Sequence, residues 1–279
     1  MIEKKNILGV GITNATKKEI LEYIIKSLEN FKKKLFFVTP NPEFLVLASK
    51  NFTFKNILNK ADLALMDGIG IVLAAKILGR PLKERFPGVD LVKSLCKEVV
   101  RKPITVRFLG GGEGVAEKTA ECLQKKHPGL KVSFVGEEWP SDNIDDRRLK
   151  VEDSPSADGL KMEDRRSINP LTSTLKKLPS TFYHLPSKGI DILFVAFGAP
   201  KQEMWINENL ENLPVKIAIG VGGAFDYISG RVKRAPTFIQ NIGLEWLYRL
   251  VREPWRIKRQ LALLEFIFLV IKERLKLHN

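Results

Sequence analysis

Asp67 is the residue whose position most favours a chemical role. It ends a mainly apolar run at residues 61–66, and Gly68 follows at once at the start of a helical pattern over residues 68–78. Ligands of open α/β sheets bind beyond the carboxyl ends of the parallel strands, where this carboxylate would lie. There it could act as a general base that removes a proton from a hydroxyl group. It could equally cap the following helix, and the sequence alone does not separate the two roles.

Four further apolar runs also end on glycine or polar residues. The runs and the segments that follow them are 35–38 with Thr-Pro-Asn-Pro-Glu at 39–43, 105–109 with Gly-Gly-Gly-Glu-Gly at 110–114, 192–197 with Gly-Ala-Pro-Lys-Gln-Glu at 198–203, and 217–219 with Gly-Val-Gly-Gly-Ala-Phe-Asp at 220–226. If these runs are parallel strands, their carboxyl ends share one edge of the sheet. We therefore expect all five strand ends to line one site.

Polar side chains in these segments could contact a ligand at the sheet edge. Thr39 supplies a hydroxyl and Asn41 a carboxamide, although an asparagine before a proline at a helix start is also a good cap. Gln202 would face the same edge of the sheet. Around Gly222, backbone donors precede the carboxylate of Asp226, an order that suits a nucleotide with phosphates and a ribose diol.

Three consecutive glycines, Gly110, Gly111 and Gly112, stand between a predicted strand and a predicted helix. They could present backbone N–H groups and a helix N-terminus to a phosphate, or they could simply form a tight turn. A dinucleotide-binding unit, as in a nicotinamide-dependent oxidoreductase, must be considered. Its fingerprint fails at the third small position, which Val115 occupies, and the Gly-Lys-Ser/Thr ending of a nucleotide P-loop is absent.

Metal chemistry and covalent catalysis lack the necessary residues. The chain has three histidines, His127, His184 and His278, which are not clustered, and no Asp-x-Asp pair. We expect neither a metal site nor a cofactor. What remains is a carboxylate base combined with cationic stabilisation of a phosphate leaving group.

Short apolar runs alternate with amphipathic stretches, which predicts an α/β protein with a mostly parallel, Rossmann-like sheet and helices on both faces. We expect a catalytic domain over residues 1–226 and a helical C-terminal appendage over residues 227–279. A polar, charged stretch at residues 139–186 interrupts the pattern and is predicted to be a disordered insertion. The predicted helices are 17–31, 42–48, 68–78, 89–99, 114–126, 201–210 and 237–251.

The formal net charge is +14, and the appendage carries half of it, with eleven Lys and Arg against four Glu. Nucleic acid and an anionic membrane surface both attract such a segment. Aromatic and aliphatic residues are interleaved with the cations, which favours an interfacial helix over a nucleic-acid reader. The apolar stretch at residues 261–271 could instead pack on the body of the protein. No run approaches the ~20 apolar residues of a membrane span, and no secretion signal is indicated.

Cys96 and Cys122 both lie in helical patterns and are predicted to be buried, reduced thiols, which favours a cytoplasmic protein. The sequence leaves open whether the chain forms a homo-oligomer.

Seven segments in order together resemble the WecG/TagA/CpsF family of bacterial glycosyltransferases. They are residues 39–43, 67–70, 84–91, 108–114, 198–205, 220–226, and 234–236 with 243–250. The resemblance implies an inverting, metal-independent transfer of a sugar, typically N-acetylmannosamine, from a UDP donor. The acceptor it implies is the 4-hydroxyl of N-acetylglucosamine on undecaprenyl diphosphate, in cell-wall or surface polysaccharide synthesis. It also implies peripheral attachment to the inner face of the membrane. The donor could be the uronic acid of that sugar, or UDP-glucose, as in some relatives.

Transferred to this sequence, the resemblance makes Asp67 the base and Thr39 a positioning hydroxyl. The residues it assigns to the sugar, the diphosphate and the ribose are Asn41, Arg85, Gln202 and Asp226, with Arg249, Arg256 and Arg259 supplied by an appendage that closes over the site. Paired arginines are good ligands of a diphosphate. The sequence departs from the family pattern at two places, the insertion and Phe86-Pro87. Both concern the shape of the part of the site that would bind the acceptor.

Overall fold

The computed structural model describes residues 2–133, 190–254 and 257–276. The strands are β1 Lys4–Ile7, β2 Val10–Thr13, β3 Leu35–Val38, β4 Leu63–Ala64, β5 Thr105–Gly110, β6 Lys131–Val132, β7 Ile190–Ala196 and β8 Val215–Gly220. The helices are α1 Lys17–Glu29, α2 Pro42–Lys50, α3 Phe52–Lys60, α4 Ile69–Ile77, α5 Gly88–Val99, α6 Val115–Lys126, α7 Lys201–Asn209, α8 Ala224–Ile228, α9 Thr237–Asn241, α10 Glu245–Arg252 and α11 Ile257–Lys276.

Six strands form one parallel sheet in the order β4–β3–β8–β7–β5–β6, and β1 and β2 form a separate antiparallel pair. The predicted α/β class with a parallel sheet is therefore confirmed. Since all six strands point the same way, the segments that follow β3, β4, β5, β7 and β8 emerge at one edge of the sheet.

The central strands are apolar on both faces because helices cover both. Side chains alternate along a strand, so Phe36 and Val38 pack into one layer with residues of α2, α3, α4 and α11, whereas Phe37 packs into the other with residues of α1, α5, α6 and α8. The strands, packed on both faces, support the loops at the sheet edge.

Two predicted helices differ from the observed ones. The helix predicted over residues 42–48 continues to Lys50, and an unpredicted helix, α3, begins directly after Asn51, whose side chain caps it. The helix predicted over residues 237–251 is broken into α9 and α10. Gly243, with φ +79°, lies at the break, and a Cβ there would come within 2.6 Å of Ile69. A continuous helix would prevent this close contact with the body.

Helix α11 packs on α2 and α4 through Phe266 and Val270, which are 3% and 2% exposed. Ion pairs flank this contact at Lys50–Glu265 (2.6 Å) and Arg80–Glu273 (2.9 Å). The residues that point away from the body include Leu261, Phe268 and Leu275, each more than 60% exposed. The stretch at residues 261–271 thus packs on the body by one face and leaves another apolar face uncovered.

The predicted insertion at residues 139–186 lies outside the described residues. Cys96 is buried and Cys122 only partly buried, and both are free thiols. Within the described segments, every helix is too short or too polar to cross a bilayer.

Candidate active site

A cavity of about 1340 Å³ opens at the carboxyl edge of the sheet, between the strand-end loops and the appendage. It brings together most of the residues predicted from the sequence. Those that line it are Thr39, Asn41, Asp67, Arg85, Gly110, Gly111, Gly112, Gln202, Gly222, Asp226 and Arg249. Arg256 and the side chain of Arg259 lie outside the described part of the chain. The five strand ends therefore do meet at one site.

Asp67 connects β4 to α4 and is held in place by backbone contacts. Its N–H donates to the Pro40 carbonyl (2.8 Å), and its side chain accepts from the Gly88 N–H. Gly68, not Asp67, occupies the N-cap position of α4, which has no side-chain cap. The alternative role of Asp67 as a helix cap is thus not observed. Asp67 lines the cavity instead.

The surroundings of Asp67 raise the pKa of its carboxyl group above the usual value. Burial, and then the nearby carboxylate of Glu245, raise the pKa of Asp67 to about 6, although Arg85 and Arg234 act in the opposite direction. A carboxyl group with this pKa is mostly ionised at neutral pH, yet it binds a proton more tightly than an ordinary aspartate.

Arg234 ties the appendage to the body. Its guanidinium donates to both oxygens of Asp90 in α5 (2.5 and 3.1 Å) and to Glu245 in α10 (2.9 Å), and its side chain is 15% exposed. Burial lowers the pKa of Arg234, but the bonds to the two carboxylates outweigh this effect and raise it above its usual value. No role for Arg234 or Glu245 follows from the sequence, because their meeting depends on how the appendage folds back.

Arg85 makes a second connection between the body and the appendage. Its Nη2 donates to the Gln240 carbonyl in α9 (3.0 Å), and its charge acts on Asp67. The guanidinium therefore lies where the appendage, Asp67 and the cavity meet.

Thr39 and Asn41 line the cavity but also have structural partners. The Thr39 hydroxyl is buried and donates to the Gly220 carbonyl (2.9 Å), which joins the ends of β3 and β8. The Asn41 side-chain oxygen accepts from the Phe44 N–H (3.2 Å) and caps α2, as the alternative interpretation of the sequence expected. This cap engages the oxygen of the carboxamide and not its two N–H donors.

The glycine loops are fixed by a pair of buried side chains, Gln202 and Glu203. The Gln202 oxygen accepts from the N–H groups of Gly198 (3.2 Å) and Gly222 (3.0 Å), and its nitrogen donates to Glu203 Oε1 (2.6 Å). A Cβ on Gly220 would lie 3.0 Å from both side chains. Gln202, predicted as a ligand residue, therefore also clamps the loops after β7 and β8.

Glu203 was not identified from the sequence. It is fully buried, its Oε2 atom lacks a hydrogen-bond partner among the described residues, and burial raises its pKa to about 8. It is therefore mostly protonated at neutral pH, since an ionised carboxylate would be poorly solvated there. A charged residue in the first turn of a helix carries no sequence signal of burial.

The triple glycine has a geometry that other residues would not tolerate. Gly110, Gly111 and Gly112 have φ values of +92°, +88° and +88°, and a Cβ on Gly110 would lie 2.7 Å from the Phe197 ring. The loop therefore forms the tight turn expected from the sequence, and it also lines the cavity.

Asp226 and Arg249 face each other across Gly223. A Cβ there would lie 3.4 Å from Arg249 Nη1 and 3.6 Å from Asp226 Oδ2. Arg249, from α10, also donates to Glu253 (3.1 Å) and to the Tyr227 hydroxyl (3.2 Å), and its guanidinium carbon lies 5.0 Å from the centre of the Tyr227 ring. The appendage thus brings Arg249 to the end of the cavity that Gly223 and Asp226 line.

The other end of the cavity is apolar. Helices α4 and α11 line it with aliphatic side chains, and Ile242, Leu244 and Trp246 of the appendage complete it. One continuous space therefore joins an acid, several cations and glycine loops to an apolar compartment.

A family model described as "Glycosyl transferase WecG/TagA/CpsF family" matches residues 5–150 and 179–279. Three similar proteins share one name, N-acetylglucosaminyldiphosphoundecaprenol N-acetyl-beta-D-mannosaminyltransferase. The protein from Bacillus spizizenii is 32% identical over 86% of this chain and 80% of its own length. Those from Bacillus subtilis and Staphylococcus aureus are 27% and 29% identical over 98% of this chain and over 93% and 94% of their own lengths. The chain therefore belongs to the WecG/TagA/CpsF family of glycosyltransferases.

Proposed function

We propose that this glycosyltransferase moves N-acetylmannosamine from UDP to the 4-hydroxyl of N-acetylglucosamine carried on undecaprenyl diphosphate, with inversion at the anomeric carbon. The names of the similar proteins describe this acceptor and this sugar. The observation that carries the proposal is Asp67, a carboxylate with a pKa of about 6 that lines the same cavity as the glycine loops and Arg249.

The reaction proceeds as a single displacement. The acceptor oxygen forms a bond to the anomeric carbon while the bond from that carbon to the UDP oxygen breaks, and the electron pair leaves with UDP. Asp67 takes the proton of the attacking hydroxyl. One displacement inverts the anomeric configuration, so a β product forms from an α-linked donor.

The developing negative charge on UDP falls at the nucleotide end of the cavity. Arg249 is positioned there by Glu253 and Tyr227, and the loop at residues 110–112 lies nearby. Guanidinium groups and oriented N–H groups stabilise a diphosphate without a metal ion. In this proposal Asp226, which lines the same cavity, binds the ribose hydroxyls. The proposal therefore assigns the leaving-group charge to protein groups.

We also propose that the protein works at the inner face of the cell membrane as a peripheral protein. The uncovered apolar residues of the appendage, including Phe238, Val251 and Phe268, support this location, as does its excess of basic residues. Such a surface binds an anionic interface by apolar burial and by charge.

The direct test is to incubate the purified protein with a soluble short-chain lipid diphosphate carrying N-acetylglucosamine and with UDP-N-acetylmannosamine, its uronic acid or UDP-glucose. UDP release identifies the donor, and NMR of the product gives the linkage and the anomeric configuration. We expect a β-linked N-acetylmannosamine product that forms equally well with EDTA present. No release of UDP from any of the donors, or loss of activity in EDTA that Mg²⁺ restores, would contradict the proposal.

A further inference from the structure

The apolar end of the cavity is a groove between α4 and α11. Leu73 and Ile77 of α4 form one side, and Ile267 and Ile271 of α11 form the other. These four side chains are 49–51% exposed, although they line the same cavity as Asp67. Uncovered aliphatic residues that continue an enclosed polar site mark a place for an apolar part of a ligand.

The two helices run side by side in the same direction. The Phe266 ring lies 3.7 Å from the Cβ position of Gly70, near the start of α4, and Arg274 Nη1 lies 3.8 Å from that of Gly79, just beyond its end. Residues four apart lie on the same face of a helix, so each wall presents a pair of branched side chains to the groove. Val270, 2% exposed, closes the space between them.

The groove leads away from the base. Ile69 begins α4 two residues after Asp67, and Leu73 and Ile77 lie about 6 and 12 Å further along the helix axis. A ligand whose reacting hydroxyl contacts Asp67 would place its headgroup near the start of α4. Whatever is attached beyond the headgroup would then pass between Leu73, Ile77 and α11.

We propose that this groove binds the first isoprene units of the polyprenyl chain of the acceptor. The proposal rests on the proposed function, in which the acceptor is a sugar linked through a diphosphate to a polyprenol. Such a molecule is polar at one end and apolar at the other, in the order that the cavity presents. Arg85 lies at the polar end, and branched aliphatic side chains complement a methyl-branched chain.

We assign the groove to the polyprenyl chain of the acceptor and not to the lipids of the bilayer. The reason is that the groove side chains and the outward side chains of α11 differ in position. Ile267 and Ile271 line the cavity, whereas Phe268 and Leu275 do not. The outward residues can contact lipid without any opening to the active site. The groove residues contact a molecule that also extends to Asp67.

The experiment compares two soluble acceptors, used below their micelle concentrations, that carry the same sugar diphosphate on either a farnesyl or a methyl group. The quantity of interest is the ratio of their kcat/KM values. For the wild-type protein we expect the farnesyl acceptor to be better by about tenfold or more, since burying two methylene-sized groups corresponds to about that factor. Ile77→Gln and Ile267→Gln should each reduce this ratio several-fold.

Leu264→Gln is the matched control. Leu264 is an aliphatic residue of the same helix, 67% exposed, and it does not line the cavity. It should leave the ratio at the wild-type value. A second variant, Leu73→Trp, keeps the groove apolar but fills it, and should also reduce the ratio. Thermal unfolding and binding of the UDP-sugar establish that each variant is folded.

The outcomes separate this inference from the proposed function. Transfer to both acceptors with a ratio that Ile77→Gln, Ile267→Gln and Leu73→Trp leave unchanged would overturn the groove and keep the transferase. A change in liposome binding or in self-association without a change in the ratio would also overturn it, because the groove would then contact bilayer lipid or a second copy. No transfer by the wild-type protein to either acceptor would overturn the proposed function itself.

Discussion

The cavity has two walls that are held by different forces. The sheet wall consists of the segments at the strand ends, residues 110–114, 198–203 and 220–226, and the appendage wall consists of α9, α10 and α11. In the sheet wall, Gln202 and Glu203 are completely buried and their bonds hold backbone groups in place. In the appendage wall, ion pairs of Arg234 and apolar contacts of Phe266 hold whole helices against the body.

The two walls therefore contribute to the site in different ways. Buried hydrogen bonds fix the geometry of the glycine loops before a ligand binds, as the proposed diphosphate site requires. Ion pairs and apolar contacts instead hold whole helices against the body and bring Glu245 and Arg249 to the cavity. Asp67 lies between the walls, because Gly88 of the body binds its carboxylate while Glu245 of the appendage helps to raise its pKa.

Replacement of Asp67, which lies between the walls, should have the largest effect on turnover. Asp67→Asn keeps the size and the hydrogen-bonding shape of the side chain but removes the proton acceptor. We expect turnover to fall by roughly 10²–10⁴-fold, the usual contribution of a general base, with binding of the UDP-sugar retained. Single-turnover kinetics and donor titration measure the two effects separately. Thr39→Ala, which removes a neutral hydroxyl, serves for comparison and should cost less.

The apolar contact of Phe266 with α2 and α4 in the appendage wall is tested next. Phe266→Ala should lower the free energy of unfolding by about 3–5 kcal/mol, the range for a buried phenylalanine, because it leaves a cavity against α2 and α4. The neighbouring Glu265→Gln removes only a partly exposed ion pair and should cost less than about 1 kcal/mol. Equal losses in denaturant titrations of the two variants would show that charge, not apolar burial, holds α11.

The sheet wall is tested through Glu203. Its raised pKa means that the folded protein keeps a proton that the unfolded chain releases, so stability falls as pH rises from about 4.5 to about 8. Glu203→Gln carries no such proton, and relative to it the wild-type protein should lose up to about 1.4 kcal/mol per pH unit across that range. Urea titrations at several pH values measure this difference. Glu211→Gln, at an exposed carboxylate, is the control and should run parallel to the wild type.

Much of the sheet wall could be predicted from the sequence. Apolar runs that end on glycine or polar residues identify strand ends, and a parallel sheet must gather them at one edge. The pattern alone therefore identifies Thr39, Asp67, Gly110 and Asp226 as candidates. The pattern could not tell which of them also have structural partners, as Thr39 does with Gly220.

The appendage wall was much less predictable. The periodicity predicts one helix over residues 237–251, but its break at Gly243 depends on contact with Ile69, which is 174 positions away in the chain. The ion pairs of Arg234 and the approach of Glu245 to Asp67 follow from that break. Contacts between such distant residues leave no periodic signal, and the burial of Glu203 is invisible for the same reason.

The central claim is that Asp67 is the base and that both walls set its pKa. The most direct measurement is the pH dependence of kcat/KM for the wild-type protein, Asp67→Asn and Glu245→Gln. Activity requires the ionised carboxylate, so the wild-type value should rise with pH and level off above a pKa of about 6. Removing the charge of Glu245 should move this rise to lower pH, and Asp67→Asn should abolish it. An unchanged rise near pH 6 in Asp67→Asn would contradict the account.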